Sequence, residues 1–188
     1  MITDIFDKDI IKILTLFSVS PVSKFVRNEI KEKTMLNNAP LDNALNILLN
    51  NGVLVKEKRF LSLNFENKNL KILLDIIKKE HLRFKEIPLV IYYAVLDMSP
   101  VLANIRDIAK AYLFGSYAKL IYTEKSDIDL AIILGKEDKN IIDKVKNGID
   151  KIEKKYNKNI ELHFFEKKEM KQRDPIIKEI LKNGIELY

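Results

Sequence analysis

The feature that most constrains the fold is the alternation of strand-like and helix-like segments over residues 106–188. Three short apolar stretches are typical of β-strands: "AKAYLF", "SDIDLAIIL" and "KNIELHFF". A heavily charged amphipathic stretch, "KEDKNIIDKVKNGIDKIEKKYN", and the closing stretch "DPIIKEILKNGIELY" have the apolar spacing of helices. This alternation predicts an α/β (α+β) domain, in which helices pack against a small mixed sheet.

Residues 1–65 predict three helices followed by a β-hairpin. Asp4 is the expected N-cap of the first helix, and the second helix is expected to begin after Pro21. The third has Pro40 in its first turn and ends before Gly52. The hairpin places a charged turn, Lys56 to Arg59, between the strand segments Val53–Val55 and Phe60–Leu63. Three helices and a hairpin resemble a winged helix-turn-helix domain.

Residues 66–105 predict a helical connector between these two domains. The stretch "NKNLKILLDIIKKEHLRFKEI" has leucines and isoleucines on one side and lysines on the other. The next stretch, "PLVIYYAVLDMSPVLANI", is apolar nearly all round, which is typical of a buried helix. Pro100 is expected to kink or end that helix.

Composition excludes several classes of protein. With no cysteine among its 188 residues, the chain has neither disulfides nor thiolate metal sites, and its two histidines make a histidine-built zinc site unexpected. The net charge of +6 is spread along the sequence, so it permits nucleic-acid binding without arguing for it. The N-terminus lacks a signal-peptide pattern, and the longest apolar run, Ile87 to Met98, is too short to span a bilayer. We therefore expect a cytoplasmic protein with no membrane partner.

Two aspartates, Asp127 and Asp129, carry the main chemical signal of the sequence. If both lie on one strand, their carboxylates project from the same face, where they repel each other unless a cation lies between them. Upstream, Gly115 and Ser116 lie where a strand gives way to a turn or helix. Glycine lets the backbone approach a ligand closely, and the backbone N–H groups and the hydroxyl of Ser116 can hold phosphate oxygens. Together these residues predict a Mg²⁺ and phosphate site.

Glu161 is the expected third carboxylate. In "NIELHFF" it alternates with His163 and Phe165 on one strand face. A carboxylate on a neighbouring strand would complete a two-metal site. We interpret His163 as a core or edge histidine rather than a ligand.

A solvated hairpin edge is the competing interpretation of the aspartate pair. The same spacing recurs at Asp7 and Asp9, on a helix and with no Gly-Ser before it, so the spacing alone is weak evidence. The Gly-Ser turn and the flanking apolar strands distinguish the later pair.

The stretch "GSYAKLIYTEKSDIDL" resembles the signature of the minimal nucleotidyltransferases of the DNA polymerase β superfamily. The matching residues are Gly115, Ser116, Ala118, Ser126, Asp127, Ile128, Asp129 and Leu130. Two positions depart from the family pattern: Lys119 replaces an arginine, and Leu120 stands where glycine is common. The resemblance covers residues 106–188.

This resemblance implies transfer of a nucleoside monophosphate from an NTP, expected to be ATP, to an acceptor hydroxyl. Asp127, Asp129 and Glu161 would be both the catalytic residues and the ligands of Mg²⁺ or Mn²⁺. The nucleotide-binding residues would be Gly115, Ser116, Lys119 and Ser126. The acceptor is open: a hydroxyl on a partner protein, as in nucleotidyltransferase antitoxins, an RNA end or a small molecule.

A second function remains open, in which the chain is a DNA-binding transcription regulator and its transferase domain is a degenerate nucleotide sensor. The third helix offers no lysine or arginine to read bases. Phosphate contacts could come from the residues Lys24, Arg27, Lys56, Lys58 and Arg59. Alternatively, the winged helix forms a homodimer or docks a partner protein.

Overall fold

The computed structural model describes residues 6–85, 87–171 and 174–187. The chain divides into two compact units, of which the first ends at Tyr93 and the second begins at Ala94. The division falls within one helix, whereas the sequence places boundaries after residues 65 and 105. That three-part division stays a prediction.

Among its described residues, the first unit contains four helices and three short strands, and a fifth helix begins in it. In chain order they are α1 (Lys8–Val19), β1 (Phe25–Val26), α2 (Arg27–Thr34), α3 (Asn38–Asn50), β2 (Leu54–Glu57), β3 (Phe60–Leu63), α4 (Leu70–Arg83) and α5 (Leu89–Ala103). The strands form an antiparallel sheet in the order β1-β3-β2. Its core includes Phe17, Ile30, Leu41 and Leu61, all less than 4% exposed.

Two local expectations differ from the structure. The segment after Pro21 is not helical throughout, because Phe25 and Val26 pair with Leu61 and Phe60 as β1 before α2 begins. Asp4 lies outside the described residues. Instead, α1 begins at Lys8, and the Asp7 carboxylate caps it by accepting from the backbone N–H groups of residues 9 and 10. Asp7 of the early aspartate pair is therefore the helix cap, and Asp9 lies in the first turn.

Helix α5 is buried along most of its length, as its apolar sequence predicts. Pro100 does not end it, since the helix continues to Ala103. Among the described residues, no helix has both the length and the hydropathy needed to cross a bilayer.

The second unit contains the rest of the secondary structure. Its elements after α5 are β4 (Ile108–Phe114), α6 (Gly115–Lys119), β5 (Ile128–Leu134), α7 (Lys139–Tyr156), β6 (Ile160–Glu166), a 3₁₀ turn (Glu169–Lys171), α8 (Pro175–Asn183) and β7 (Ile185–Glu186). The predicted mixed α/β architecture is confirmed.

The sheet of this unit has the order β6-β5-β4-β7, in which β5 and β6 are parallel and the other pairs are antiparallel. Helix α7 connects the two parallel strands and buries Val145, Ile149 and Ile152. Strand β5 is buried on both faces except at Asp129, which is typical of a central strand. The site therefore lies where β5 begins, beside the end of β4.

Candidate active site

The turn after β4 is shaped by Gly115. Its φ of +67° lies in the left-handed region, which glycine adopts without the strain of a Cβ. A Cβ built on Gly115 would lie 1.9 Å from an Asp129 carboxylate oxygen and 2.7 Å from the Asp129 Cγ. Phe114, the preceding residue, pairs with Asp129 across the antiparallel β4–β5 ladder. Any other residue at 115 would therefore displace the Asp129 carboxylate.

Asp129 is half-buried at the second position of β5. Its carboxylate accepts a hydrogen bond from the backbone N–H of Ser116. Burial raises the pKa of Asp129 above its usual value, and repulsion from the Glu161 carboxylate raises it further. His163 and the Ser116 N–H oppose this rise. The balance indicates a carboxylate crowded by negative charge, an environment that a bound cation would relieve.

The parallel register of β5 and β6 pairs Asp129 directly with Glu161. Ligand atoms of Asp129, Glu161 and His163 all lie within 4.8 Å of one another. The Glu161 side chain is 54% exposed and the His163 side chain 26%, and His163 Nε2 lies 3.3 Å from Glu161 Oε1. Among the described residues, these three side chains form the group of acidic and histidine residues that lie close enough together to hold a metal ion.

His163, which the sequence predicts to be a core or edge histidine, lies on the edge strand β6 and joins this group. Its alternation with Glu161 was visible, but a histidine on a strand is more often part of a core than a ligand. The signal that could have found it is the parallel pairing, which sets residues 129, 161 and 163 on the same sheet face.

Asp127 lies apart from this group. Strand β5 begins at Ile128, so Asp127 is one residue before it and is exposed. Its charge is the last of the influences that raise the pKa of Asp129. The structure thus brings together two of the three predicted carboxylates, and Asp127 as a ligand stays a prediction.

The other predicted nucleotide contacts have partners within the protein. Ser126 Oγ accepts from the backbone N–H of Thr123 at 2.8 Å and so closes the turn before β5. The Lys119 ammonium lies 2.8 Å from a Glu179 carboxylate oxygen on α8. Leu120, which stands where glycine is common in the resembled family, caps α6 with a φ of +59°. The turn therefore keeps a left-handed backbone without its usual residue.

The donor set fits a divalent cation. Carboxylate oxygens are hard ligands suited to Mg²⁺ and Mn²⁺, and an imidazole nitrogen is a further ligand for first-row transition ions. The space that a Cβ at Gly115 would fill is taken by the Asp129 carboxylate, which is thereby fixed beside Ser116.

The basic residues predicted to contact nucleic acid divide into two sets in the first unit. Lys24 forms an ion pair with Glu57 at 2.7 Å, and Arg27 donates two hydrogen bonds to Asp42 at 2.6 and 2.8 Å. The hydrogen bond from Arg27 lowers the pKa of Asp42.

The remaining three, Lys56, Lys58 and Arg59, lie at the tip of the β2–β3 hairpin and are exposed. They line one groove with residues of α2 and α3, including Arg27, Asp42 and Asn46.

Comparison with known proteins finds a family match within the second unit. Residues 97–188 match the family model described as polymerase beta, nucleotidyltransferase. Among solved structures, the chain resembles a mutant of the toxin–antitoxin pair MntA–HpeT, with 18% sequence identity and a TM-score of 0.37. That likeness covers 47% of this chain and 68% of the other. No curated protein sequence matches the chain.

Proposed function

We propose that this chain is a divalent-metal-dependent nucleotidyltransferase, coupled to a winged-helix module, that moves a nucleoside monophosphate from ATP or another NTP to an acceptor hydroxyl. The observation that carries the proposal is the pairing of Asp129 with Glu161 on adjacent parallel strands, beside the Gly115 turn. The match of residues 97–188 to the nucleotidyltransferase family supports it.

The reaction is a displacement at the α-phosphorus of the NTP. The acceptor oxygen forms the new bond, the bond from the α-phosphorus to the α,β-bridging oxygen breaks, and pyrophosphate leaves. The acceptor proton must be removed as the bond forms. Glu161 is suited to receive it on a carboxylate oxygen, because its side chain is 54% exposed and so can be reached by an acceptor from solvent.

Asp129 and Glu161 would hold the cation, with Asp127 as a further predicted ligand. A divalent ion bound there neutralises the charge of the triphosphate and the charge that develops on the leaving group. Asp129 is the more fixed ligand, since the Ser116 N–H holds its carboxylate.

The turn at Gly115 and Ser116 would position the phosphates. Gly115 gives the turn its left-handed backbone beside Asp129, and the Ser116 hydroxyl makes no hydrogen bond with another of the described residues. Lys119 would need to exchange Glu179 for a phosphate, whereas Ser126 would act by fixing the turn that presents Asp127.

The test uses ATP labelled on either the α- or the γ-phosphate, a divalent ion and a cell extract as the source of acceptors. Transfer of the α-label, with no transfer of the γ-label above background, is the expected result. Asp129→Asn should abolish it. Glu124→Gln is the matched control. Glu124 is an exposed carboxylate in the turn before β5, and it does not belong to the group of Asp129, Glu161 and His163. Absence of α-label transfer under any divalent ion would overturn the proposal.

DNA binding by the first unit is a second candidate. The observation that favours it is the element order α1-β1-α2-α3-β2-β3 with the sheet order β1-β3-β2, which supports the predicted winged helix-turn-helix domain. Replacing Lys56, Lys58 and Arg59 by glutamine should weaken retention of duplex DNA and reduce its salt dependence. Lys24→Gln is the comparison, because Lys24 is already paired with Glu57 and should contribute less. Failure of the wild-type protein to retain DNA at low salt would make the module a dimerisation or partner-docking domain.

The degenerate-sensor alternative keeps nucleotide binding but lacks transfer. The paired carboxylates favour the enzyme, because a sensor needs no group placed to accept the acceptor proton.

A further inference from the structure

The position of His163 on β6 differs from that of a core histidine. The chain contains two histidines, and the other, His81, is buried in α4 with its Nε2 3.3 Å from the Ile87 carbonyl oxygen. His163, in contrast, is partly exposed, and it lies with Asp129 and Glu161 in the group whose ligand atoms are within 4.8 Å of one another.

The surroundings of His163 fix its ring near the two carboxylates. The edge of the ring meets Phe114, with centroids 5.1 Å apart and planes at 75°. Its neighbour in the parallel register is Ala131, a small residue that leaves the imidazole room on this face. Phe114, Ala131 and Ile180 of α8 are buried together, so the ring rests on packed core at one side. Its Nε2 faces the Glu161 carboxylate at 3.3 Å.

We propose that His163 is a direct ligand of the divalent ion, completing with Asp129 and Glu161 a centre of two carboxylates and one imidazole. This centre favours Mn²⁺ over Mg²⁺. Mg²⁺ strongly prefers oxygen ligands, whereas Mn²⁺ accepts carboxylates and also belongs to the transition ions that bind imidazole. The inference rests on the proposed function only because it concerns the same metal site. Metal binding by His163 is expected even when no nucleotide or acceptor is bound.

The competing role for His163 is to hydrogen-bond and orient Glu161 without touching the metal. Both roles predict weaker metal binding when His163 is replaced. They differ in whether the histidine nitrogen is coupled to the ion, which can be measured directly.

The experiment loads the full-length chain with Mn²⁺ in the absence of nucleotide and records its pulsed electron paramagnetic resonance spectrum. A nitrogen coupling of a directly bound imidazole is expected, and it should change from the ¹⁴N to the ¹⁵N pattern when only the histidines are labelled with ¹⁵N. His163→Gln should abolish the coupling. Because that variant retains His81, it also controls for adventitious histidine binding.

Metal titrations supply the second measurement. Loss of an outer-sphere partner of a metal ligand typically weakens binding ~10–100-fold, so loss of a direct ligand should weaken Mn²⁺ binding at least tenfold. Mg²⁺ binding should change much less in His163→Gln, so the preference for Mn²⁺ should fall. Glu124→Gln should leave both affinities at their wild-type values.

Absence of nitrogen coupling in the Mn²⁺-loaded wild-type protein would overturn the proposal and assign His163 to orienting Glu161. Equal weakening of Mn²⁺ and Mg²⁺ binding in His163→Gln would overturn it too. Neither result affects the transferase proposal, which is tested by α-label transfer. Conversely, a protein that shows nitrogen coupling to Mn²⁺ but no transfer of the α-label would support this metal centre and contradict the proposed transferase activity.

Discussion

Substituting Gly115 by alanine tests whether the turn and the Asp129 carboxylate form one unit. The new Cβ would lie 1.9 Å from Asp129 Oδ2, 2.7 Å from its Cγ and 3.1 Å from its Cβ. A small rotation about the terminal bond of Asp129 cannot relieve contacts that include Cγ and Cβ. The whole side chain must turn away, which breaks the hydrogen bond from the Ser116 N–H.

The cost can be estimated from three contributions. The left-handed backbone at φ +67° costs an alanine ~1–2 kcal/mol. Alanine also lowers the conformational entropy of the unfolded chain relative to glycine, which stabilises the folded protein and offsets ~0.4–1 kcal/mol of this cost. Loss of a hydrogen bond to a charged group adds ~1.5–3 kcal/mol. We therefore expect Gly115→Ala to lower the free energy of unfolding by about 2–4 kcal/mol, which lowers the Tm by about 4–16 °C in a chain of this size.

The assay is thermal unfolding of the wild-type chain and two variants, each with and without millimolar Mn²⁺. Gly135→Ala is the matched control, since a Cβ there would meet no atom within 4 Å. Its Tm should stay within a few degrees of the wild type. Gly115→Ala should also lose the rise in Tm that the cation produces, because binding to the folded state stabilises it. A Gly115→Ala protein with the wild-type Tm and an undiminished response to Mn²⁺ would refute the reasoning.

Three further substitutions test other parts of the second unit. Leu120→Gly should raise the free energy of unfolding by about 1 kcal/mol in urea unfolding, because it removes the left-handed strain at φ +59°; an unchanged or lower value would contradict this.

The raised pKa of Asp129 means that its contribution to stability is present below the ordinary aspartate pKa of about 3.9 and is lost as pH rises through the raised value. Relative to wild type, Asp129→Asn should therefore gain stability between pH 3.5 and 7 in urea unfolding without divalent ions. If the difference in free energy of unfolding between Asp129→Asn and the wild type did not change with pH, the pKa of Asp129 would not be raised in the folded protein. Asp97→Ala should lower the free energy of unfolding by about 2–3 kcal/mol, because the buried Asp97 accepts hydrogen bonds from Lys155 and Tyr156, both at 2.7 Å. A loss under 1 kcal/mol would show that these groups find other partners.

Much of the second unit follows from its sequence pattern. Alternating apolar positions predicted three of the strands, and the same alternation placed Glu161 on the face that meets Asp129. Local spacing could not predict the start of β5 at Ile128, because the turn closed by the Ser126–Thr123 hydrogen bond decides where pairing begins. Asp127 therefore lies between that turn and β5, whereas Asp129 lies within the strand.

Other features depend on contacts distant in sequence. The ion pair between Lys119 and Glu179 joins helices 60 positions apart, which no local pattern reveals. Strand β1 exists because Phe25 and Val26 find Leu61 and Phe60 as partners, although their sequence also suits the start of a helix. Alternation alone predicts a core or edge histidine at position 163, since only the parallel register brings His163 to the two carboxylates.

The most direct test of the central claim is whether Glu161→Gln separates nucleotide binding from turnover. Binding of labelled ATP and release of pyrophosphate are measured with an acceptor-containing extract, at saturating divalent ion, for the wild type, Glu161→Gln and Glu124→Gln. The account predicts that Glu161→Gln retains most of its ATP binding and loses turnover ~10²–10⁴-fold, as expected when a proton acceptor is removed, while Glu124→Gln keeps both. Turnover by Glu161→Gln at the wild-type rate, or ATP binding by the wild-type protein without any turnover, would contradict the account.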